Sequence, residues 1–141
     1  MSIEEQAKRV KELIDIAKGA EYVYLKKAGE TIKTCFMELF EKYPKLNSIS
    51  WVQYTPYFND GDKCIFGIWF DVNGYDDSGW GPEEKDDNAD GMTSSERDLI
   101  FKDIYNIRKM IGKKAFKKVF DDGVKVTVTK DDLKIESYDH E

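Results

Sequence analysis

The chain is predicted to be an α+β protein, a two-layer sandwich in which about four antiparallel strands form two hairpins with helices against one face. Three observations predict this. Apolar residues recur at helical spacing from Val10 to Tyr43 and again from Leu99 to Phe120. Two pairs of β-rich runs, Asn47–Tyr54 with Cys64–Asp71 and Val124–Thr129 with Leu133–Tyr138, are each joined by turn-forming residues. The order, α-β-β-α-β-β, suits a sheet covered on one side by helices. A length of 141 residues fits a single domain over 1–141, with an acidic, glycine-rich mobile loop expected at about 72–92.

The first helix is marked by Ser2 and Glu5, whose spacing fits a capping box in which hydroxyl and carboxylate satisfy two leftover backbone donors. Val10, Leu13, Ile14, Ala17, Tyr24, Ala28, Ile32, Cys35, Phe36, Leu39 and Tyr43 trace its apolar side, and Pro44 ends it. Gly19 and Gly29 each cost about 1 kcal/mol relative to alanine within a helix, so one bent helix or two successive helices both fit. In the second strand Cys64, Phe66, Ile68 and Phe70 share the expected core face, while Ile65, Gly67, Trp69 and Asp71 share the other. The first two strands pair as a hairpin with a wide connection closed at Asp60-Gly61, and Gly67 is expected to mark a bulge. Thr93 with Glu96 repeats the capping box and Leu99, Ile100, Ile104, Ile107 and Ile111 form a second apolar stripe. Gly112 is expected to interrupt this helix before Ala115, Phe116, Val119 and Phe120 resume it. Asp121-Asp122-Gly123 then ends it. The final hairpin should turn Val124, Val126, Val128, Leu133 and Ile135 toward the helices.

Composition narrows the function classes. The net charge is −6, and residues 71–90 hold eight carboxylates against Lys85, a local −7 that leaves the remainder near neutral. General nucleic-acid binding is therefore disfavoured. A dense acidic segment can instead imitate a phosphate backbone before a basic site. No apolar run approaches the roughly 20 residues needed to span a bilayer, and the first residues lack a secretory pattern, so a cytoplasmic location is expected. Cys35 and Cys64 lack CxxC spacing and are expected as buried, reduced thiols. His140, one residue from the end, is the single histidine, which weighs against nucleophilic catalysis. No glycine-rich phosphate loop occurs, and no cofactor is implied. Lys113, Lys114, Lys117 and Lys118 fall on adjoining helical positions, a patch best read as the solvated side of an amphipathic helix.

The densest collection of unusual residues is Trp51-Val52-Gln53-Tyr54-Thr55-Pro56-Tyr57-Phe58-Asn59-Asp60-Gly61-Asp62-Lys63-Cys64-Ile65-Phe66. Together with the ending Val124 to Glu141, it resembles an uncharacterised family of small proteins of tailed phages and bacteria that carry a similar Tyr-Thr-Pro-Tyr-Phe-Asn-Asp-Gly run and acidic tail. The resemblance implies a phage-related setting and no mechanism. The leading expectation is a non-enzymatic accessory protein that binds and blocks a host protein or sequesters a small ligand. Its binding residues would be Tyr54, Tyr57, Phe58, Asn59, Asp60, Asp62 and Trp80, aromatics giving contact area and carboxylates orientation. Two alternatives stand beside it: a metal-dependent hydrolase using Asp60, Asp62 and Asp71, and a homodimer formed through an exposed sheet face or edge.

Overall fold

A computed structural model describes residues 2–56, 61, 64–76 and 90–139 of the chain. The architecture is α+β: α1 (Ile3–Lys42), β1 (Ile49–Tyr54), β2 (Gly67–Val72), α2 (Ser94–Ile111), α3 (Lys113–Phe120), β3 (Val124–Val128) and β4 (Leu133–Ser137). The strands form one antiparallel sheet in the order β2-β1-β3-β4. The two hairpins therefore meet through β1 and β3, leaving β2 and β4 as edges.

α1 is one helix of 40 residues, about 60 Å long at 1.5 Å per residue. Gly19 does not break it. Ser2 Oγ accepts the Glu5 N–H at 3.2 Å, and the chain leaves the helix at Tyr43, before Pro44. Gly29 serves a contact: a Cβ there would lie 3.3 Å from Val119 Cγ1, so its lack of a side chain lets α1 and α3 approach closely. At α2 both halves of the Thr93–Glu96 capping box form, and Gly112, at φ 93°, turns the chain between α2 and α3.

The core lies between the helices and one sheet face. Trp51 of β1 sits at its centre, with Phe36 of α1 at a ring distance of 5.0 Å and Phe116 and Phe120 of α3 both at 5.7 Å. Such aromatic pairs add about 0.5–1.5 kcal/mol each beyond their buried area. The cross-strand row Phe70, Trp51, Val126 and Ile135 shows where cover ends, since the first three are almost sealed while Ile135 on β4 is 50% exposed. Ile135 faces the helix side as expected, but the described helices leave half of it uncovered.

Three expectations are corrected. β2 begins at Gly67, so Cys64 and Phe66 precede the strand. Gly67 makes no bulge, because its pairing with Tyr54 continues the regular register. Its place is set by its own strand: a Cβ there would lie 2.5 Å from the Trp69 indole, which folds back over it. Both cysteines are free but only half-buried. The span 72–92 is anchored at both ends, with Val72, Tyr75 and Met92 buried in the core region. Positions 77–89 of that span lie outside the described residues.

Candidate interaction surface

The apolar side of α1 traced from the sequence starts at Val10, yet the buried residues of the helix are Ile32, Phe36, Leu39 and Phe40. Residues 3–24 are exposed throughout. They form a rod about 33 Å long that carries Ile3, Val10, Leu13, Ile14, Ile16, Tyr22, Val23 and Tyr24, with exposures from 48% at Ile14 to 85% at Ile3. The rod exists because α1 is far longer than the sheet and helices it packs on. Its stripe is not random. Ile3, Ala7, Val10, Ile14, Ala17, Glu21, Leu25, Ala28, Ile32, Phe36, Leu39 and Tyr43 follow one another in steps of three and four, the spacing that holds residues on one helix face. The line that is buried against the body beyond Ala28 thus continues, uncovered, along the rod.

At the base of the rod lies a groove of about 600 Å³ between α1, the end of α3 and edge strand β4. Leu25, Gly29, Val119, Leu133 and Ile135 supply its apolar surface, and Lys26, Lys33 and Lys118 stand around it, with Glu30 and Asp121 the acidic members. Lys118 also pairs with Glu21 at 3.1 Å, which accounts for the single charge in the stripe. The lysines of α3 are in part paired, Lys117 lying 3.9 Å from Asp122.

A second surface occupies the outer sheet face. Tyr54 stacks on Trp69 at 4.5 Å and lies 5.6 Å from Tyr138, while Trp69 remains 46% exposed. The chain leaving β1 is held by Thr55, whose N–H and hydroxyl donate to Asp122 at 2.9 and 2.6 Å. Of the binding residues expected from sequence, Tyr54 is half-buried in this aromatic group. Tyr57, Phe58, Asn59, Asp60, Asp62 and Trp80 lie outside the described residues. Trp69 and Tyr138 were missed, because the register that sets Gly67 opposite Tyr54 and lets the Trp69 indole fold over it is not written in the local sequence.

Two buried polar groups build the frame. Arg97 Nη2 donates to Asp90 Oδ1 at 2.8 Å and Nη1 to the Val72 carbonyl at 3.2 Å, with the guanidinium 4.3 Å above the Tyr75 ring. Asp90 also accepts from Asn73 Nδ2 at 2.9 Å and from the Met92 N–H at 3.1 Å. Burial alone would raise the Asp90 pKa, but these donors outweigh it and hold the carboxyl below its ordinary value. Gln53, fully buried, accepts from Trp51 Nε1 and donates to the carbonyls of Phe116 and Asp121, capping the end of α3. At the surface, Tyr43 and Lys42 both donate to Asp103 at 2.6 and 2.9 Å. Burial and the Asp103 carboxylate raise the Tyr43 pKa, whereas Asp103, despite partial burial, is lowered by those two donors.

Among the described residues no group of three His, Cys, Asp or Glu gathers as a metal-ligand set. Asp71 pairs with Ser50 on the outer sheet face. No described helix is long and apolar enough to cross a membrane. Comparison with protein-family models, curated proteins and solved structures finds no match for the chain.

Proposed function

We infer that the protein is a non-enzymatic interaction module whose working surface is the exposed half of α1. One observation carries this reading: eight large apolar side chains stand in water along a single helical rod, far more than scattered surface apolars require. The rod costs the monomer solubility and contributes nothing to its core. The shifts at Asp90, Glu96, Asp103 and Lys42 follow from ion pairs and hydrogen bonds that brace the fold, and that at Tyr43 from burial and the Asp103 carboxylate; among the described residues none raises a carboxyl toward neutrality as a general acid requires. The resemblance to small phage proteins fits a binding role in a host cytoplasm, where no chemistry of its own is needed.

Site-specific photo-crosslinking in the producing cell tests the reading. A benzophenone side chain at Val10 or Tyr24 should yield discrete protein adducts that disappear with Ile14→Glu, while the same group at Lys102 on α2 should yield none. If the rod positions give no adduct, or the same smear as Lys102, the surface is not an interaction surface.

A further inference from the structure

We propose that the partner of the rod is the rod of a second copy of this chain, packed antiparallel, with the tip of each helix seated in the groove at the base of the other. This rests on the interaction reading above and names its partner. Three features of the molecule point to it.

The uncovered stripe is continuous with the covered one. Whatever covers Ile3, Val10 and Ile14 must lie on the same side of α1 as the body, and a straight helix placed there runs into the groove at Leu25 and Gly29. An α-helix of the same length and apolar line fits both the rod and the approach. An antiparallel copy meets this requirement and leaves its own stripe covered by the same contact, which is how a two-fold interface closes. It also sets the two folded bodies at opposite ends, where they do not collide.

Charge follows the same arrangement. The first turn of α1 carries Glu4 and Glu5, and the groove that would receive it is edged by Lys26, Lys33 and Lys118 against Glu30 and Asp121. Lys118 is already paired with Glu21, and an antiparallel pair brings Glu4 and Glu5 of the first turn to Lys26 and Lys33 at both ends at once. A parallel pair brings two acidic tips together and leaves both grooves open. Antiparallel packing also aligns the helix dipoles favourably.

Size is sufficient. Eight large apolar side chains per chain stand exposed along the rod of about 33 Å, and two such rods with two grooves offer the apolar surface on which a standard interface of roughly 1,200–2,000 Å² is built. A lipid surface is a poorer match, because residues 3–24 hold five acidic and four basic side chains, and Ile16 and Val23 lie off the main stripe.

Sedimentation velocity on the full chain over a wide concentration range tests the pairing. The wild type should pass from monomer to dimer and stop there. Val10→Glu with Ile14→Glu, each change occurring twice in the dimer, should weaken association by roughly 100-fold or more, with far-ultraviolet circular dichroism showing a folded body. Lys26→Glu with Lys33→Glu should weaken it too, and adding Glu4→Lys with Glu5→Lys should restore it. For orientation, in a Cys35→Ser, Cys64→Ser background, Ile14→Cys near the two-fold axis should oxidise to a linked dimer, whereas Ile3→Cys should not. A wild type that stays monomeric to about 1 mM, the weak end of specific association, overturns the proposal, as does self-linkage through Ile3→Cys. A monomer whose rod still forms adducts with another protein would refute self-pairing alone. A monomer without adducts would refute both readings.

Discussion

Removing the Asp90 carboxylate should cost about 3–5 kcal/mol, a large share of the roughly 5–15 kcal/mol that stabilises a typical domain. The two side chains of the Asp90–Arg97 pair are 10% and 6% exposed, so water cannot replace the lost partner. In Asp90→Ala the Arg97 guanidinium keeps the Val72 carbonyl and the Tyr75 ring but loses the Asp90 carboxylate, and the donors of Asn73 and Met92 lose their acceptor. At about 3–5 °C per kcal/mol for a chain of this size, the melting temperature should fall by about 10–25 °C. Urea unfolding followed by circular dichroism measures the cost directly. The double variant Asp90→Ala with Arg97→Met removes both charges and should lose clearly less than the two single costs together. The pH response follows from the lowered Asp90 pKa. Its contribution is complete above the unfolded value near 3.8 and drains away as pH falls through the lower folded value, so acid should destabilise the wild type more steeply than Asp90→Asn. A cost below about 1 kcal/mol for Asp90→Ala, or strict additivity in the double variant, would refute the claim that this buried pair anchors the ends of the acidic segment.

Other parts of the structure give shorter tests. Gln53→Leu strands the Trp51 indole N–H and the carbonyls of Phe116 and Asp121, and should cost at least about 2 kcal/mol by urea unfolding. Gly67→Ala drives a Cβ into the Trp69 indole. Because that ring can swing into solvent, the loss should stay near about 1 kcal/mol, with the near-ultraviolet circular dichroism of the Tyr54–Trp69 stack reduced. Asp103→Asn should lower the ionisation midpoint of Tyr43, read by the ring carbon shifts in NMR, since the neighbouring carboxylate helps to hold that phenol protonated.

Much of the fold was legible because its signals are local. Both capping residues, Ser2 and Thr93, stand where their hydroxyls accept the backbone N–H three residues on, and the alternation of Ile68 and Phe70 against Trp69 picks the buried face of β2. What was not legible depends on distance. Helical spacing places Val10 and Ile14 on the same line as Phe36, but periodicity reports a face and not what lies against it. Whether the body extends far enough to cover that face is a property of the whole fold. Asp90 reads as one more charge of an acidic run, and only the position of Arg97 one turn into α2 turns it into a buried partner. Gly67 was misread for a related reason: the sequence marks a need for space, and the occupant of that space, the Trp69 ring, is settled by strand geometry.

The rod also bears on how α1 can exist at all. Isolated helices shorter than about 12–15 residues are marginal in water, and most helical stability in proteins comes from packing one face. Residues 3–24 bury no side chain among the described residues, and Gly19 in their midst costs about 1 kcal/mol relative to alanine. What holds them is the Ser2 cap, the Arg9–Glu12 pair at 3.4 Å and growth from the turns clamped at Ile32 and Phe36, since extending a helix is far easier than starting one. Stability should therefore fall toward the tip in a monomer and level out in a pair. Amide exchange at Val10 and Leu13 should slow as protein concentration rises, while exchange at Trp51 in the core stays constant. Concentration-independent exchange along the rod would mean that the helix stands by propensity alone and that nothing covers its stripe.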